Sequence, residues 1–200
     1  MGTGGWCGKP PGGKAKFSSR WRQRTADPPG NSRFNGERFG SGEHETTASC
    51  LHLLAELPSL RGATMLDLGC GTGVLALAAL RLGAARALCV DIDVGAAALA
   101  RANACANGLA VQVRCVAGEL ACLARGRFEV IAANLPAEVL LAVAGALVER
   151  TVAGGWLVLS GVLWEEAWAV RGRFQRLGCR CRRERWLEEY CTFLLQNARP

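Results

Sequence analysis

Two hundred residues, half of them apolar and one fifth charged, suffice for one domain with a sizeable core and exclude wholesale disorder. No apolar run approaches the roughly 20 residues that cross a bilayer, and no charged-then-apolar leader opens the chain, so a soluble protein without membrane contact is expected. The formal charge is +7, and the 25 glycines follow no repeat, which excludes collagen-like and other periodic architectures.

Residues 1–37 read as a flexible Gly/Pro-rich basic tail ahead of one domain over 38–200, because nothing in them could bury a face. Cytoplasm is the expected location. A transit peptide leading to a mitochondrion or other organelle is the alternative, since basic residues and serines precede the first acid, Asp27.

From about residue 45 helix and strand alternate. Leu51, Leu53, Leu54 and Leu57 mark a helix entered through Thr46-Thr47 and closed before Pro58. Ala63–Leu68 is an apolar run stopping at glycines, a buried strand, and Val74–Leu82 is a helix ended by Gly83. Ala87–Val90 is a second strand finishing at Asp91; Ala96–Ala106 is a helix closed by Asn107-Gly108. Val111–Val116 and Phe128–Ala133 follow as strands, then a helix over Ala137–Arg150 with Val139, Leu140, Val143 and Leu147 on one face. Trp156–Leu159 is a fifth strand after a Gly154-Gly155 turn, Trp164–Leu177 a helix, and strands near 179–186 and 190–196 close the chain. This alternation predicts an α/β fold: a doubly wound, seven-stranded, mostly parallel sheet with an antiparallel C-terminal strand, because the last connection is too short for a parallel crossover. A ligand site is then expected at the carboxyl ends of the strands.

The ten cysteines do not read as a disulfide framework. Most lie in apolar runs, none forms a C-x-x-C pair, and with two histidines (His44 and His52) no zinc spacing emerges, so no metal is expected and reduced thiols suit an intracellular compartment. Charge is uneven. Residues 1–38 hold eight Lys/Arg against Asp27 and Glu37, and residues 171–185 hold seven Arg against Glu184. Such blocks allow a weak contact with nucleic acid, but no aromatics interleave the arginines of 171–185, which favours solvated faces instead.

The strongest local signal is Asp67-Leu68-Gly69-Cys70-Gly71-Thr72-Gly73, between the first strand and the second helix. Glycines there let the backbone turn sharply and approach a ligand, and the helix behind them offers unpaired N–H groups. The G-x-G-x-G spacing is not the G-x-G-x-x-G of dinucleotide folds, and Asp67 would repel a pyrophosphate while suiting a cationic amine or sulfonium. Asp91, ending the second strand, stands where a carboxylate accepts hydrogen bonds from ribose hydroxyls; Asp93 fits a helix cap better. Asn134, in Ala133-Asn134-Leu135-Pro136, offers an amide acceptor able to hold an amino group.

At these residues the chain resembles the class I S-adenosylmethionine-dependent methyltransferases, and among them the PrmA family, which methylates amino groups of protein eleven of the large ribosomal subunit. The likeness runs over about 38–197: Phe39–Thr47 is similar to the family's arm ahead of the first helix, Met65–Val74 to its cofactor loop, Val90–Asp93 to its second motif, Ala132–Asn134 to its fourth strand and Leu159–Leu163 to its fifth. The resemblance implies S-adenosylmethionine as cofactor, with S-adenosylhomocysteine as product. Thr46, Thr47, Gly69, Gly71, Asp91 and Asn134 would stand at the cofactor alongside Asp67 and Gly73, Glu119 near the adenine, and Asn134 facing the target amine as the catalytic residue. Two features depart from the family: Leu135-Pro136 replaces the more usual Ile-Leu, and only the Gly/Pro-rich segment precedes Phe39 where relatives carry a substrate-gripping domain.

The expected reaction is methyl transfer to a protein amine, a lysine in the first place, with a ribosomal protein as first expectation for the partner. Methylation of a nucleic-acid base, a glutamine or a small molecule is the alternative, and a non-catalytic relic of the fold binding a partner through 171–185 is a third reading.

Overall fold

The computed structural model describes residues 45–123 and 126–200. The tail read over 1–37 and the arm Phe39–His44, with its Glu43, lie outside the described residues.

Seven strands form one sheet: β1 (Thr64–Leu68), β2 (Arg86–Asp91), β3 (Val113–Ala117), β4 (Phe128–Asn134), β5 (Thr151–Leu163), β6 (Cys179–Trp186) and β7 (Tyr190–Asn197). Their order is β3-β2-β1-β4-β5-β7-β6. The first five pair in parallel, whereas β7 runs antiparallel to both β5 and β6, as the short β6–β7 connection requires. The chain builds outward from β1 to β3, then returns to lay β4 on the other side of β1. That reversal opens a crevice at the carboxyl ends of β1 and β4.

Five helices cover the sheet: α1 (Glu45–Ala55), α2 (Val74–Arg81), α3 (Val94–Ala106), α4 (Ala137–Arg150) and α5 (Ala167–Arg176). Strand side chains alternate between two cores. Met65, Cys89, Val130 and Val158 pack with Leu53 and Leu54 of α1, Leu77 of α2 and Ala100 of α3. Leu66, Val90, Ile131 and Leu157 pack on the opposite face with Leu140 and Leu147 of α4 and Val170 and Phe174 of α5. Burial on both faces is why these strands read as continuous apolar runs rather than alternating ones.

The main departure from the sequence reading is β5, which spans thirteen residues instead of the four over Trp156–Leu159. The expected Gly154-Gly155 turn lies inside the strand: Gly154 takes φ 73°, and the pairing with β4 shifts register between Phe128 and Val130. The chain thus leaves α4 directly into β5, and the glycines make a bulge, not a turn. The third strand begins at Val113 rather than Val111, whose side chain is fully exposed. The helix expected from Trp164 opens with a 3-10 turn over Trp164–Glu166 before α5. No helix among the described residues is long and apolar enough to cross a membrane.

Candidate active site

The segment Asp67–Gly73 leaves β1 and turns into α2 at the mouth of the crevice. Gly69, Gly71 and Gly73 all take positive φ (69°, 51° and 76°), a region that side-chain-bearing residues enter only with strain. The three glycines have different neighbours. A Cβ at Gly69 would overlap the Leu135 side chain, and one at Gly73 would stand 3.0 Å from the Ala100 Cβ. A Cβ at Gly71 would meet nothing within 4 Å, because this glycine faces the open cavity. The turn hangs on the tip of β2: the N–H groups of Gly69 and Cys70 both donate to the Val90 carbonyl, at 2.8 and 3.1 Å.

Gly73 occupies the N-cap of α2 and brings no side chain to satisfy the first-turn N–H groups. Asp67 supplies the missing acceptor from β1, its Oδ2 receiving the Ala76 N–H at 3.0 Å. A carboxylate at this helix end also complements the helix dipole. Asp67 is only 1 % exposed, and its Oδ1 is buried without a partner among the described residues. Burial pushes its carboxyl up to about 7; the Ala76 N–H opposes this and the nearby Asp91 charge reinforces it.

Asp91 closes the second corner. Its Oδ2 accepts the Gly71 N–H at 2.9 Å and its Oδ1 accepts the Asp93 N–H at 3.0 Å. Each oxygen can accept one further hydrogen bond, and the side chain lines the cavity. Asp93 is the N-cap of α3, as read from the sequence, accepting the Gly95 N–H at 2.8 Å.

Asn134 closes the third corner. Its Nδ2 donates to Thr46 Oγ1 at 3.2 Å and to Thr47 Oγ1 at 3.3 Å, both threonines being buried in the first turn of α1. With both donors engaged on one side, the carboxamide is held in one orientation, and its oxygen is left as the acceptor. The loop behind it is equally fixed. Leu135 donates its N–H to the Ser160 carbonyl at 2.9 Å, and the adjacent Gly161 sits at φ 79° where a Cβ would come within 2.8 Å of the Leu135 oxygen. Ser160 is itself fully buried against Thr192, Oγ to Oγ1 at 2.7 Å.

These elements enclose a cavity of about 790 Å³. Of the residues singled out from the sequence, Thr47, Asp67, Gly69, Gly71, Asp91, Glu119 and Asn134 line it. Thr46 and Gly73 do not: Thr46 braces Asn134 from behind and Gly73 caps α2. Apart from Arg150 the rest of the wall is mostly apolar, notably Ile92, Leu120, Leu135, Val139 and Val143, none of which the sequence marks as lining a site. Ile92 is 79 % exposed beside Asp91, an apolar side chain left open at the cavity mouth. Arg150 of α4 braces this wall by donating to the carbonyls of Leu120 and Leu123 at 3.3 and 3.2 Å. A larger hollow of about 910 Å³ opens beside Arg127, Glu149 and Arg199 and contains none of the residues singled out. Among the described residues no cluster of His, Cys, Asp and Glu could hold a metal ion. The fully buried Cys50 is no nucleophile either, since burial pushes its thiol up to about 12.

The strand order, the glycine turn after β1 and the carboxylate at the tip of β2 together define the Rossmann-like fold of the class I S-adenosylmethionine-dependent methyltransferases. The family described as ribosomal protein L11 methyltransferase (PrmA) matches residues 35–197, and the chain belongs to that family. A ribosomal protein L11 methyltransferase of Geobacter sulfurreducens is 46 % identical over 144 residues, covering 72 % of this chain and 46 % of the relative. One from Pelobacter propionicus is 44 % identical over 143 residues, covering 70 % and 46 %. The chain thus spans about half the length of the curated relatives it matches. Among solved structures, a ribosomal protein L11 methylase from Lactobacillus delbrueckii subsp. bulgaricus superposes with a TM-score of 0.72 at 25 % identity, covering 79 % of this chain and 81 % of that one. An RNA methyltransferase from Salinibacter ruber in complex with S-adenosyl-L-homocysteine shares the fold alone, with a TM-score of 0.60 at 22 % identity over 74 % of this chain and 90 % of that one.

Proposed function

We propose that the chain transfers a methyl group from S-adenosylmethionine to an amino group of a protein, a lysine in the first place and a ribosomal protein as the first partner to test. The observation that carries this reading is the fixed Asn134 carboxamide across the crevice from the Gly71–Asp91 pair. The names of the curated relatives support the same substrate class.

The residues present fit the cofactor. The empty position beside Gly71 is a cradle that any side chain would fill, and the cavity is within the range of small-molecule sites. Asp91 would hold the two ribose hydroxyls with its remaining lone pairs, Ile92 and Leu120 would cover the base, and Glu119 would stand beside it. Asp67, with one oxygen unpartnered, would answer the cationic end of the ligand and so recover part of its own burial penalty. When bound, S-adenosylmethionine supplies a sulfonium methyl as electrophile.

The protein's own contribution is position and proton state. A lysine with a pKa of about 10.4 in water must shed its proton before it can attack, and an apolar wall lowers that pKa. The Asn134 oxygen would accept a hydrogen bond from the neutral amine and aim its lone pair into the cavity. The described residues offer no histidine there: His52 is exposed on α1 and pairs with Glu56 at 2.9 Å. The amine attacks in its neutral form, so its proton must leave before the methyl is transferred. The nine free cysteines among the described residues support placement in a reducing compartment, the cytoplasm first and an organelle second.

The test is incubation with methyl-labelled S-adenosylmethionine and purified bacterial ribosomal protein L11, read by mass spectrometry. Label on a lysine or terminal amine, lost with Asn134→Ala, supports the reading. Absence of label together with absence of S-adenosylhomocysteine binding by calorimetry overturns it.

A further inference from the structure

Strand β6 forms one edge of the sheet, and it carries Arg180, Arg182, Arg183 and Arg185 of the basic block that stands out in the sequence. The fold sorts this block by face. Cross-strand partners share a face, and Arg180 lies opposite Gln196, Arg183 opposite Leu194 and Arg185 opposite Thr192. Leu194 belongs to the core under α1, so these arginines stand on the α1 side of the sheet. Their contacts agree. Arg183 Nε reaches Glu56 at 3.4 Å and Arg185 Nε reaches Ser49 at 3.2 Å, both on or beside α1. Arg182, the extra residue where the register shifts between Cys181 and Arg183, turns its guanidinium onto the Gln196 oxygen at 3.0 and 2.8 Å, joining the same face. Glu184 goes the other way and is neutralised by Arg171 of α5 at 2.7 Å. The alternation thus removes the block's single carboxylate from the basic face and leaves four guanidiniums against Glu56.

Three of the four, Arg180, Arg182 and Arg183, are exposed. Arg183 and Arg185, two residues apart beyond the register shift, stand roughly 6.6 Å apart along the strand, close to the step between successive phosphates of an extended nucleic-acid strand. The cations are all arginines, whose planar fork binds phosphate through two parallel hydrogen bonds. Residues 1–38 carry eight Lys/Arg against two acids, a charge that does not complement this face. Exposed Trp186 follows Glu184 on the α5 side, so no aromatic platform accompanies these arginines. We infer that the α1-side face of β6 is a docking surface for the phosphodiester backbone of RNA, gripping phosphates without reading bases. The inference stands on this face alone and is independent of the methyl acceptor.

The experiment is fluorescence anisotropy of the full chain with end-labelled 20-nucleotide RNAs, one oligouridine and one of mixed sequence, between 50 and 200 mM KCl. Both RNAs are expected to bind within threefold of each other. Arg180→Gln combined with Arg182→Gln and Arg183→Gln is expected to weaken binding at least fivefold and to flatten the slope of log affinity on log salt by about 2, at about 0.7 for each phosphate no longer neutralised. The matching Arg→Lys triple, which keeps the charge but not the planar fork, should recover the salt slope and only part of the affinity. Arg86→Gln, Arg114→Gln and Arg176→Gln, which remove equal charge from exposed positions elsewhere, should change it less than twofold. S-adenosylhomocysteine binding by calorimetry, unchanged in every variant, shows that each is folded. The inference is overturned if the wild-type chain binds neither RNA at 50 mM KCl, or if the two Gln triples lose affinity equally. It also falls if poly-glutamate displaces the RNA at equal charge concentration, which would make the partner an acidic protein.

Discussion

The Asp91 carboxylate accepts the backbone N–H of Gly71 at 2.9 Å, so the tip of β2 holds the turn that follows β1 from below. One side chain thereby shapes the glycine turn and lines the cavity beside it. Asp91→Ala removes both functions. We expect S-adenosylhomocysteine to bind at least tenfold more weakly, since a hydrogen bond to a charged group contributes about 1.5–3 kcal/mol. Asp91→Asn keeps one acceptor and should lose less. Titration calorimetry checks both variants; wild-type affinity in Asp91→Ala would remove the ribose assignment.

Asp67 gives the protein a pH dependence of definite sign. Its folded-state carboxyl stands at about 7 against an ordinary 3.8, so the native chain holds a proton that the unfolded chain releases between those values. The contribution is complete below pH 3.8 and is lost as pH rises through 7. From pH 5 to pH 8 this group alone lowers stability by about 2–3 kcal/mol. Urea unfolding of the ligand-free chain at the two pH values, compared with Asp67→Asn, measures it. The variant should lack this part of the decline; parallel pH profiles would show that Asp67 is ionised throughout.

Thr46 and Thr47 both accept hydrogen bonds from the Asn134 amide, at 3.2 and 3.3 Å. Replacing both by valine preserves shape but leaves the amide donors unpaired, at a cost of about 1–3 kcal/mol for each buried group. The carboxamide is then free to rotate. We expect kcat for methyl transfer to fall at least tenfold while S-adenosylhomocysteine affinity changes less than threefold. Single-turnover kinetics beside calorimetry separates the two quantities, and equal losses in both would place the threonines at the cofactor instead.

The glycines divide into structural and ligand-facing positions. Gly161→Ala drives a Cβ to within 2.8 Å of the Leu135 oxygen at φ 79°, and should lower stability by about 2–3 kcal/mol. Gly71→Ala meets no protein atom and should lower it by only about 1–2 kcal/mol, the cost of a left-handed alanine. Cofactor binding should show the reverse severity per unit of stability lost, with Gly71→Ala abolishing detectable calorimetric heat. Thermal unfolding of the two variants side by side is the check.

Much of this architecture was legible in the residues because strand ends carry distinctive chemistry. Asp67, the glycines, Asp91 and Asn134 each stand at or near the end of an apolar run, and the structure brings their strands together at one end of the sheet. The apolar wall was not legible. Val139 and Val143 share a helical face with Leu140 in the sequence pattern, yet Leu140 is fully buried while the two valines line the cavity. Periodicity cannot separate a wall awaiting a ligand from a core. The length of β5 was hidden for a different reason: Gly154-Gly155 carries the signature of a turn, and only pairing with β4 shows that the strand continues through it. The basic face of β6 needed the sheet register, since in linear order Glu184 sits among the arginines it is turned away from.

Leu135 is the residue on which both halves of the crevice rest. Its side chain fills the space that a Cβ on Gly69 would need, and its backbone fills the space that a Cβ on Gly161 would need. A single aliphatic spacer therefore gauges how far the glycine turn stands from the loop that carries Asn134. Shaving that spacer to alanine would let the two walls close on each other without removing a polar contact from either.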